Sequence, residues 1–473
     1  MVFSSLLFIF GFLPLLYFLY YLAPRAARNY VLLTASLLLY TWGAPRFILI
    51  FLTTCWIDFK LAKRLADGSS SNRKQILWAS IILDVGQLAY FKYAGFAIDQ
   101  ANGLVSLLGL HPFTIPAIVL PIGISFITFE KISYTVDVYV GRVRPADKFS
   151  NYLLFLALFP HLIAGPIFRY HDIAPQLDDR KWSSLQVAQG IERFCFGMAR
   201  KVLIADPVAV IADWAFKQPP SSLTAGYAWL GAIAYAVQIY FDFSGYSDMA
   251  IGLGKMFGFE FVENFNRPYT AKSITEFWRR WHISLGNWMR EYLYIPLGGN
   301  KGSVNRTYVN LWIVFLLSGL WHGAAWTFVF WGAFHGSFLV LERSCGGAPW
   351  KKLPGAIQQG FTFVIVLVGW ILFRAPNLVT AKLYLLAMLG LAETPQERLL
   401  SSVINNRTAS VLVLAAIGMF ITLRQNGNEG ESSVGRLDRA LGFTKRPIAL
   451  TALVLAILAL VNSEFHPFIY FRF

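Results

Sequence analysis

Apolar runs recur along the whole of this 473-residue chain and leave it little choice of environment. They cover 6–22, 47–57, 76–90, 115–129, 152–167, 227–241, 311–330, 361–373, 411–423 and 448–461. Hydrophobic residues make up 56% of the sequence and charged residues only 14%, against about 25% charged in a soluble domain. A backbone in lipid must satisfy its polar groups within each segment, so the predicted fold class is an all-α polytopic membrane protein. A spanning helix needs about 20 apolar residues. The shorter runs therefore predict tilted, broken or re-entrant helices lying against protein. On that length criterion roughly 10–13 membrane-embedded helices are expected.

Charge gives the expected orientation. Arg25 and Arg28 follow the first run, which has neither a basic leader nor a small-residue cleavage site. That run is expected to remain as an anchor with the N-terminus outside. The basic stretches 60–74, 142–148, 255–306 and 424–446 are expected on the cytoplasmic side, and the C-terminus outside. The formal net charge of +15 is scattered over these short loops, so membrane lipid accounts for it and no nucleic-acid partner is expected. Cys55, Cys195 and Cys345 are unpatterned, and neither a disulfide framework nor a metal site is expected. No polar stretch is long enough for an independent core, so residues 1–473 are expected to form a single integral-membrane domain.

Between residues 311 and 341 there is no lysine, arginine or carboxylate, and only His322 and His335 can titrate. A protonatable group at membrane depth is costly and persists mainly where it lines a polar pathway or does chemistry. His322, within Leu320-Trp321-His322-Gly323, is therefore the first catalytic candidate of a region expected over 311–342, with a packing role as the plain alternative. Gly319 and Gly323 are expected to leave its ring open to a ligand, with Trp321 packing beside it. On one continuous helix His335 would lie about 220° around from His322, which makes it structural.

The stretch 273–295 is too charged to span. Ser273 and Glu276 have capping-box spacing, and Phe277, Trp281, Leu285, Trp288 and Tyr292 recur every three or four residues. This predicts one interfacial amphipathic helix with His282 at its border. Arg279, Arg280 and Arg290 would offer cationic forks to a phosphate-bearing substrate, or simply anchor the helix among lipid headgroups. Asp242, in aromatic sequence, and Asp248 are expected where an apolar helix ends, and Asp242 would bind substrate or, more simply, pair with an arginine. Glu130 beside Lys131 reads as local charge balance, and His161, among prolines, as a turn residue. A Gly-x-Ser-x-Gly elbow and a Walker loop are both missing, which leaves a serine hydrolase and an ATP-driven pump without support.

Several of these segments together carry a resemblance. Leu120-Pro-Ile-Gly-Ile-Ser-Phe126, Phe159-Pro-His-Leu-Ile-Ala-Gly-Pro166, Tyr240-Phe-Asp-Phe-Ser-Gly-Tyr-Ser-Asp-Met-Ala-Ile-Gly-Leu-Gly254, Glu276-Phe-Trp-Arg-Arg-Trp-His-Ile-Ser-Leu285, Leu320-Trp-His-Gly323 and Phe468-Ile-Tyr-Phe471 stand as they do in one family. The chain resembles the membrane-bound O-acyltransferase (MBOAT) family, and within it the alginate O-acetyltransferase branch. The resemblance implies a ring of membrane helices, with re-entrant and interfacial ones, around a central acyl-transfer tunnel. It implies a cytoplasmic thioester donor, commonly acetyl-CoA, and an extracytoplasmic polysaccharide acceptor, reached directly or through a periplasmic O-acetyltransferase partner protein. It maps the family's membrane histidine onto His322 and a second histidine onto His282. His322 would act as general base, while His282 would orient or polarise the thioester carbonyl. Peptidoglycan, cellulose or D-alanylated teichoic acid are alternative chemistries of the same kind. A lipid-linked glycan flippase is the alternative of a different class, because broken helices and intramembrane charge suit transport as well.

Overall fold

The computed structural model describes residues 3–67, 72–114, 116, 118–162, 164–180, 182–346, 350, 352–393, 404–420, 433–462 and 468. The regular structure among the described residues is helical, with one isolated antiparallel bridge between Phe265 and Trp281. The protein is an all-α polytopic membrane protein, and the chain divides into two compact units.

The first unit comprises Met1–Ser183, Phe257–Val262 and Trp288–Leu293. Its helices are α1 (Leu13–Leu22), α2 (Arg28–Gly43), α3 (Ile48–Ala66), α4 (Arg73–Leu88), α5 (Ala94–Leu107), α6 (Ile124–Tyr139), α7 (Phe149–Ala157) and α8 (Tyr170–Asp178). Helix α6 packs against both α3 and α4 around buried charge. Lys131 Nζ lies 2.7 Å from Asp58 and 2.5 Å from Asp84, and Ser80 donates to Asp58. Glu130, the preceding residue, instead meets His161 Nδ1 at 3.0 Å. The two neighbours thus serve different partners, because successive residues of a helix point about 100° apart, and they do not balance one another. His161 is in a turn, as expected. The apolar run 152–167 is helical only to Ala157, and its remaining described residues form a buried turn.

The second unit comprises Ser184–Met256, Glu263–Asn287 and Tyr294–Phe473. Helices α9 (Ser184–Ala199), α10 (Asp206–Lys217) and α11 (Ala225–Met256) begin it. Glycines let α9 and α11 approach backbone to backbone: a Cβ on Gly190 would stand 2.6 Å from Gly252 O, and one on Gly197 2.6 Å from Gly245 O. The sequence placed Asp242 and Asp248 near a helix end, but α11 continues to Met256, so both are interior to it. Then come α12 (Ile274–Arg280), α13 (Ile283–Met289, whose last residues belong to the first unit), α14 (Val304–His322), α15 (Trp326–Ser344), α16 (Gly355–Arg374), α17 (Leu378–Met388), α18 (Asn406–Phe420) and α19 (Ser433–Val461).

Two described helical stretches are long and apolar enough to cross a membrane by themselves, Arg73–Leu107 and Gly355–Arg374. Arg25–Gly43 and Pro45–Ala66 qualify together, bent by 114°. Other apolar runs are interrupted: among its described residues 115–129 is helical only from Ile124, and 311–330 is divided between α14 and α15. The basic stretch 424–446 falls outside the described residues as far as 432. From Ser433 it is helix, continuous through Pro447 with the last apolar run.

Candidate functional site

Both candidate histidines belong to the second unit. His322 is the last residue of α14, which ends there because Gly323 turns extended at φ −164°. The chain then reverses through Ala325 into α15, so His322 and His335 stand on two helices of a hairpin. This overturns the rotation expected for one continuous helix. The two imidazoles are instead linked through Trp331, whose ring is 5.1 Å from each.

The hairpin is close because it is built on glycine. A Cβ on Gly319 would meet Phe328 O at 2.2 Å, and one on Gly332 would meet Phe315 O at 2.2 Å. A Cβ on Gly323 would lie 2.1 Å from the Phe328 ring. These glycines therefore admit α15 and do not open a path for ligand beside His322, which corrects the sequence expectation. His322 is 6% exposed and boxed edge-on by Trp321, Trp331 and Phe373 at 4.9, 5.1 and 5.2 Å between ring centres.

His282 comes from a break in the segment expected to be one amphipathic helix. Ser273 does cap α12, accepting from Glu276 N at 3.1 Å. Glu276 in turn takes Lys272 N at 2.8 Å. The Glu342 carboxylate accepts from Ile274 N and Thr275 N at 2.6 and 2.9 Å, where a helix N-terminus favours negative charge. After Arg280 the chain leaves the helix: Trp281 is extended, and His282 takes φ +48° before α13 begins. The bend is fixed by pairing with the strand-like 264–266, where Asn266 N donates to Arg280 O at 2.9 Å and Ile283 N to Asn264 O at 3.0 Å. The apolar spacing across 277–292 thus serves two short helices and a kink, with its first members Phe277 and Trp281 buried.

Only His282 and Arg267 hold positive φ among the described non-glycine residues, and both flank this pairing. Such strain persists where the surroundings over-determine it, and it clusters at functional sites. The His282 ring is 1% exposed, edge-on to Phe243 at 4.8 Å and 6.3 Å from Trp321. Burial pushes its pKa from the usual 6.5 down to about 3, so it is neutral at working pH. Trp321 therefore lies between the two candidate histidines, against both rings.

The three arginines read as a cationic face are differently employed. Arg280 turns back on Glu276 at 2.6 Å and reaches Thr270 at 3.3 Å. Arg279 lines a largely apolar cavity of about 770 Å³ with Glu342, Arg343, Phe338 and Ile365. Arg290 is exposed and belongs to the first unit, where the adjacent Glu291 is held by Arg142 at 3.1 Å and by Arg169. Asp242 pairs with Lys201 at 2.8 Å, and Lys201 also holds Asp206 at 2.6 Å. The partner is thus a lysine from the π-turn Arg200–Ala205.

Sequence reasoning missed a polar cavity of about 210 Å³ behind His282. Arg193, Arg200, Ser247, Asp248, Asn264 and Arg267 are among the residues lining it. Asp248 bridges Arg193, at 2.9 Å, and Arg200, while Glu263 takes the other side of Arg193. The signal available was the polar run Glu263-Asn-Phe-Asn-Arg267, which matches no motif and gains meaning only when paired with residues 280–283.

Comparison with known proteins gives a consistent picture. The profile of the membrane-bound O-acyltransferase family matches residues 146–373, which include both histidines. The chain is 41% identical to a protein of Azotobacter vinelandii described as a probable alginate O-acetylase, over 100% of each. It is 45% identical to the protein of that description in Pseudomonas aeruginosa, over 91% of this chain and 83% of the relative. A Helicobacter pylori peptidoglycan O-acetyltransferase is 36% identical over 83% of this chain and 80% of its own length.

Proposed function

This chain belongs to the membrane-bound O-acyltransferase family, and from that premise we propose that it acetylates an extracytoplasmic polysaccharide, alginate or a related exopolysaccharide. The donor in this reading is a cytoplasmic thioester, acetyl-CoA. The acetyl group reaches the polymer directly or through a periplasmic partner transferase, across the bacterial inner membrane. The observation that carries the reading is end-to-end similarity to alginate O-acetylases in a chain whose matched region contains two buried histidines in contact with one tryptophan.

The chemistry follows from what a hydroxyl needs in order to attack a thioester. Its proton must leave as the new C–O bond forms, and imidazole is the side chain suited to take it near neutral pH. His322 is the proposed base. It receives the hydroxyl proton, the acetyl C–S bond breaks, and the proton passes on to the departing thiolate sulfur, so no net proton is consumed. The aromatic box around His322 excludes water that would otherwise compete for the acetyl group.

The test uses purified protein, radiolabelled acetyl-CoA and a panel of acceptors, with and without candidate periplasmic transferases. His322→Ala and His322→Gln are expected to lose acetyl transfer by a factor of about 10² or more while retaining wild-type unfolding behaviour, because glutamine cannot accept the proton. Wild-type turnover in a folded His322→Ala protein would overturn the role. The Helicobacter pylori relative favours peptidoglycan as the second acceptor. Transfer to peptidoglycan fragments without transfer to polyuronate would select that reading.

A further inference from the structure

His282 stands in a hydrogen-bonded network that dictates which of its ring nitrogens carries a proton. One atom of the Asn264 side-chain amide faces Ser284 N at 3.3 Å, Ser284 Oγ at 2.9 Å and His282 Nδ1 at 3.1 Å. A backbone N–H can only donate, so this amide atom is the oxygen, and an amide oxygen can only accept. The Asn264 nitrogen then donates to Ser247 Oγ at 3.1 Å. His282 Nδ1 must therefore be the protonated nitrogen. In a neutral imidazole the other nitrogen, Nε2, bears the lone pair.

We propose that Asn264 is a positioning residue that locks His282 in its Nδ1–H form, so that His282 meets the reactants as a hydrogen-bond acceptor through Nε2. This rests on the acetyl-transfer reading above and replaces the role that the family resemblance implied for His282. Polarising the thioester carbonyl would need an N–H at Nε2, which the Asn264 contact withholds. His282 instead accepts a hydrogen bond at Nε2 and orients a hydroxyl or amide N–H of a reactant.

Three observations support a tuned group. Asn264, Ser247, Ser284 and His282 are each no more than 2% exposed, so the network is shielded from water that could scramble it. The His282 backbone is held at positive φ by pairing that includes Asn264 itself, through Ile283 N donating to Asn264 O. Asn264 and Ser247 also line the polar cavity, which places the network between that cavity and the ring. The surrounding elements contribute Phe243 and Ser247 from α11, and Trp321 with the titratable His322 from α14. Charged groups line the far side of Asn264: Arg193, Arg200, Asp248, Glu263 and Arg267.

The experiment compares Asn264→Asp and Asn264→Ala in the full-length purified protein, with ¹⁵N-histidine NMR as a second readout. Aspartate keeps the acceptor beside Nδ1–H and adds a negative charge that favours the imidazolium. Asn264→Asp should hold kcat at high pH within about threefold while its acid limb moves up by about a pH unit or more. Asn264→Ala should lower kcat on the order of 10²-fold with KM little changed. The wild-type spectrum should show a protonated Nδ1 and an unprotonated Nε2 at His282. Equal losses in both variants with an unmoved acid limb would mean that Asn264 is only structural, and a protonated Nε2 would overturn the proposal outright. If the wild-type protein transferred no acetyl group to any acceptor, the transfer reading would fail, while the spectrum would still decide the state of His282.

Discussion

His282 and His322 are both enclosed by aromatic rings, yet their backbones are set in opposite ways. His322 closes a regular helix, whereas His282 occupies a left-handed kink that an L-residue adopts only under compulsion. Burial of His282 has a consequence for stability. Its native pKa lies near 3, below the unfolded value near 6.5, so the unfolded chain binds more protons between those limits. Stability is then fully present above about pH 6.5 and is lost as pH falls towards 3. Between pH 7 and 5 the loss from this residue should be about 2 kcal/mol. Unfolding in detergent followed over that range should show the slope, and His282→Gln should make it shallower. An identical slope in the variant would assign the acid sensitivity elsewhere. His322 stood out in the sequence as a candidate because a stretch of 31 residues without lysine, arginine or carboxylate isolated it. Asn264 was not, since its meaning depends on a hydrogen-bond partner 18 residues away.

Periodicity identified where helices would be but not where they would break. Ser273 caps α12 as its spacing predicted, yet the apolar spacing that suggested one helix over 273–295 runs straight across the kink at 281–282. Side-chain spacing reports burial, whereas the break is made by pairing with 264–266, a contact that local sequence does not encode. The same limit hid the α14–α15 hairpin, since Gly323 followed by Ala324 and Ala325 is a weak stop signal. The glycines of α9 and α11 give a test at this scale. Gly197→Ala pushes a methyl into the Gly245 carbonyl and should cost about 1–3 kcal/mol in unfolding, as overpacking does. Gly226→Ala, which meets nothing within 4 Å, should be neutral or slightly stabilising. Equal effects would mean that the helix contact is not tight. Helix α12 also presents Arg279 to the 770 Å³ cavity, next to Arg343. If that cavity receives the donor, Arg279→Ala should raise KM for acetyl-CoA about tenfold to a hundredfold. It should leave KM for acetylpantetheine, which lacks the phosphates, unchanged. An unchanged KM for both donors would leave Arg279 as a headgroup anchor.

At the scale of the molecule, each unit contains a lysine held between two aspartates: Lys131 with Asp58 and Asp84, and Lys201 with Asp206 and Asp242. Buried ions of this kind contribute little net stability when complete, but removing one partner leaves uncompensated charge and costs about 3–5 kcal/mol. Charge outside such clusters should set the topology. Lysines and arginines exceed acidic residues by 15, and the excess is concentrated in the short connections between apolar runs. Residues 424–446 carry Arg424, Arg436, Arg439, Lys445 and Arg446 against Glu429, Glu431 and Asp438, and the apolar 448–461 follow within one helix through Pro447. The positive-inside rule counts lysine and arginine close to a span and gives acidic residues little weight, so this flank should stay cytoplasmic. The 448–461 stretch is shorter than the roughly 20 residues of a full span, and it can cross only by recruiting helix on its N-terminal side or by tilting against protein. We expect it to cross and to place the chain after Val461 outside. Alkaline phosphatase fused there should be active and green fluorescent protein dark. Changing Arg436, Arg439, Lys445 and Arg446 to glutamine should weaken that preference. The reverse pattern in the unaltered chain would invert the orientation, and with it the side from which the acyl donor must enter.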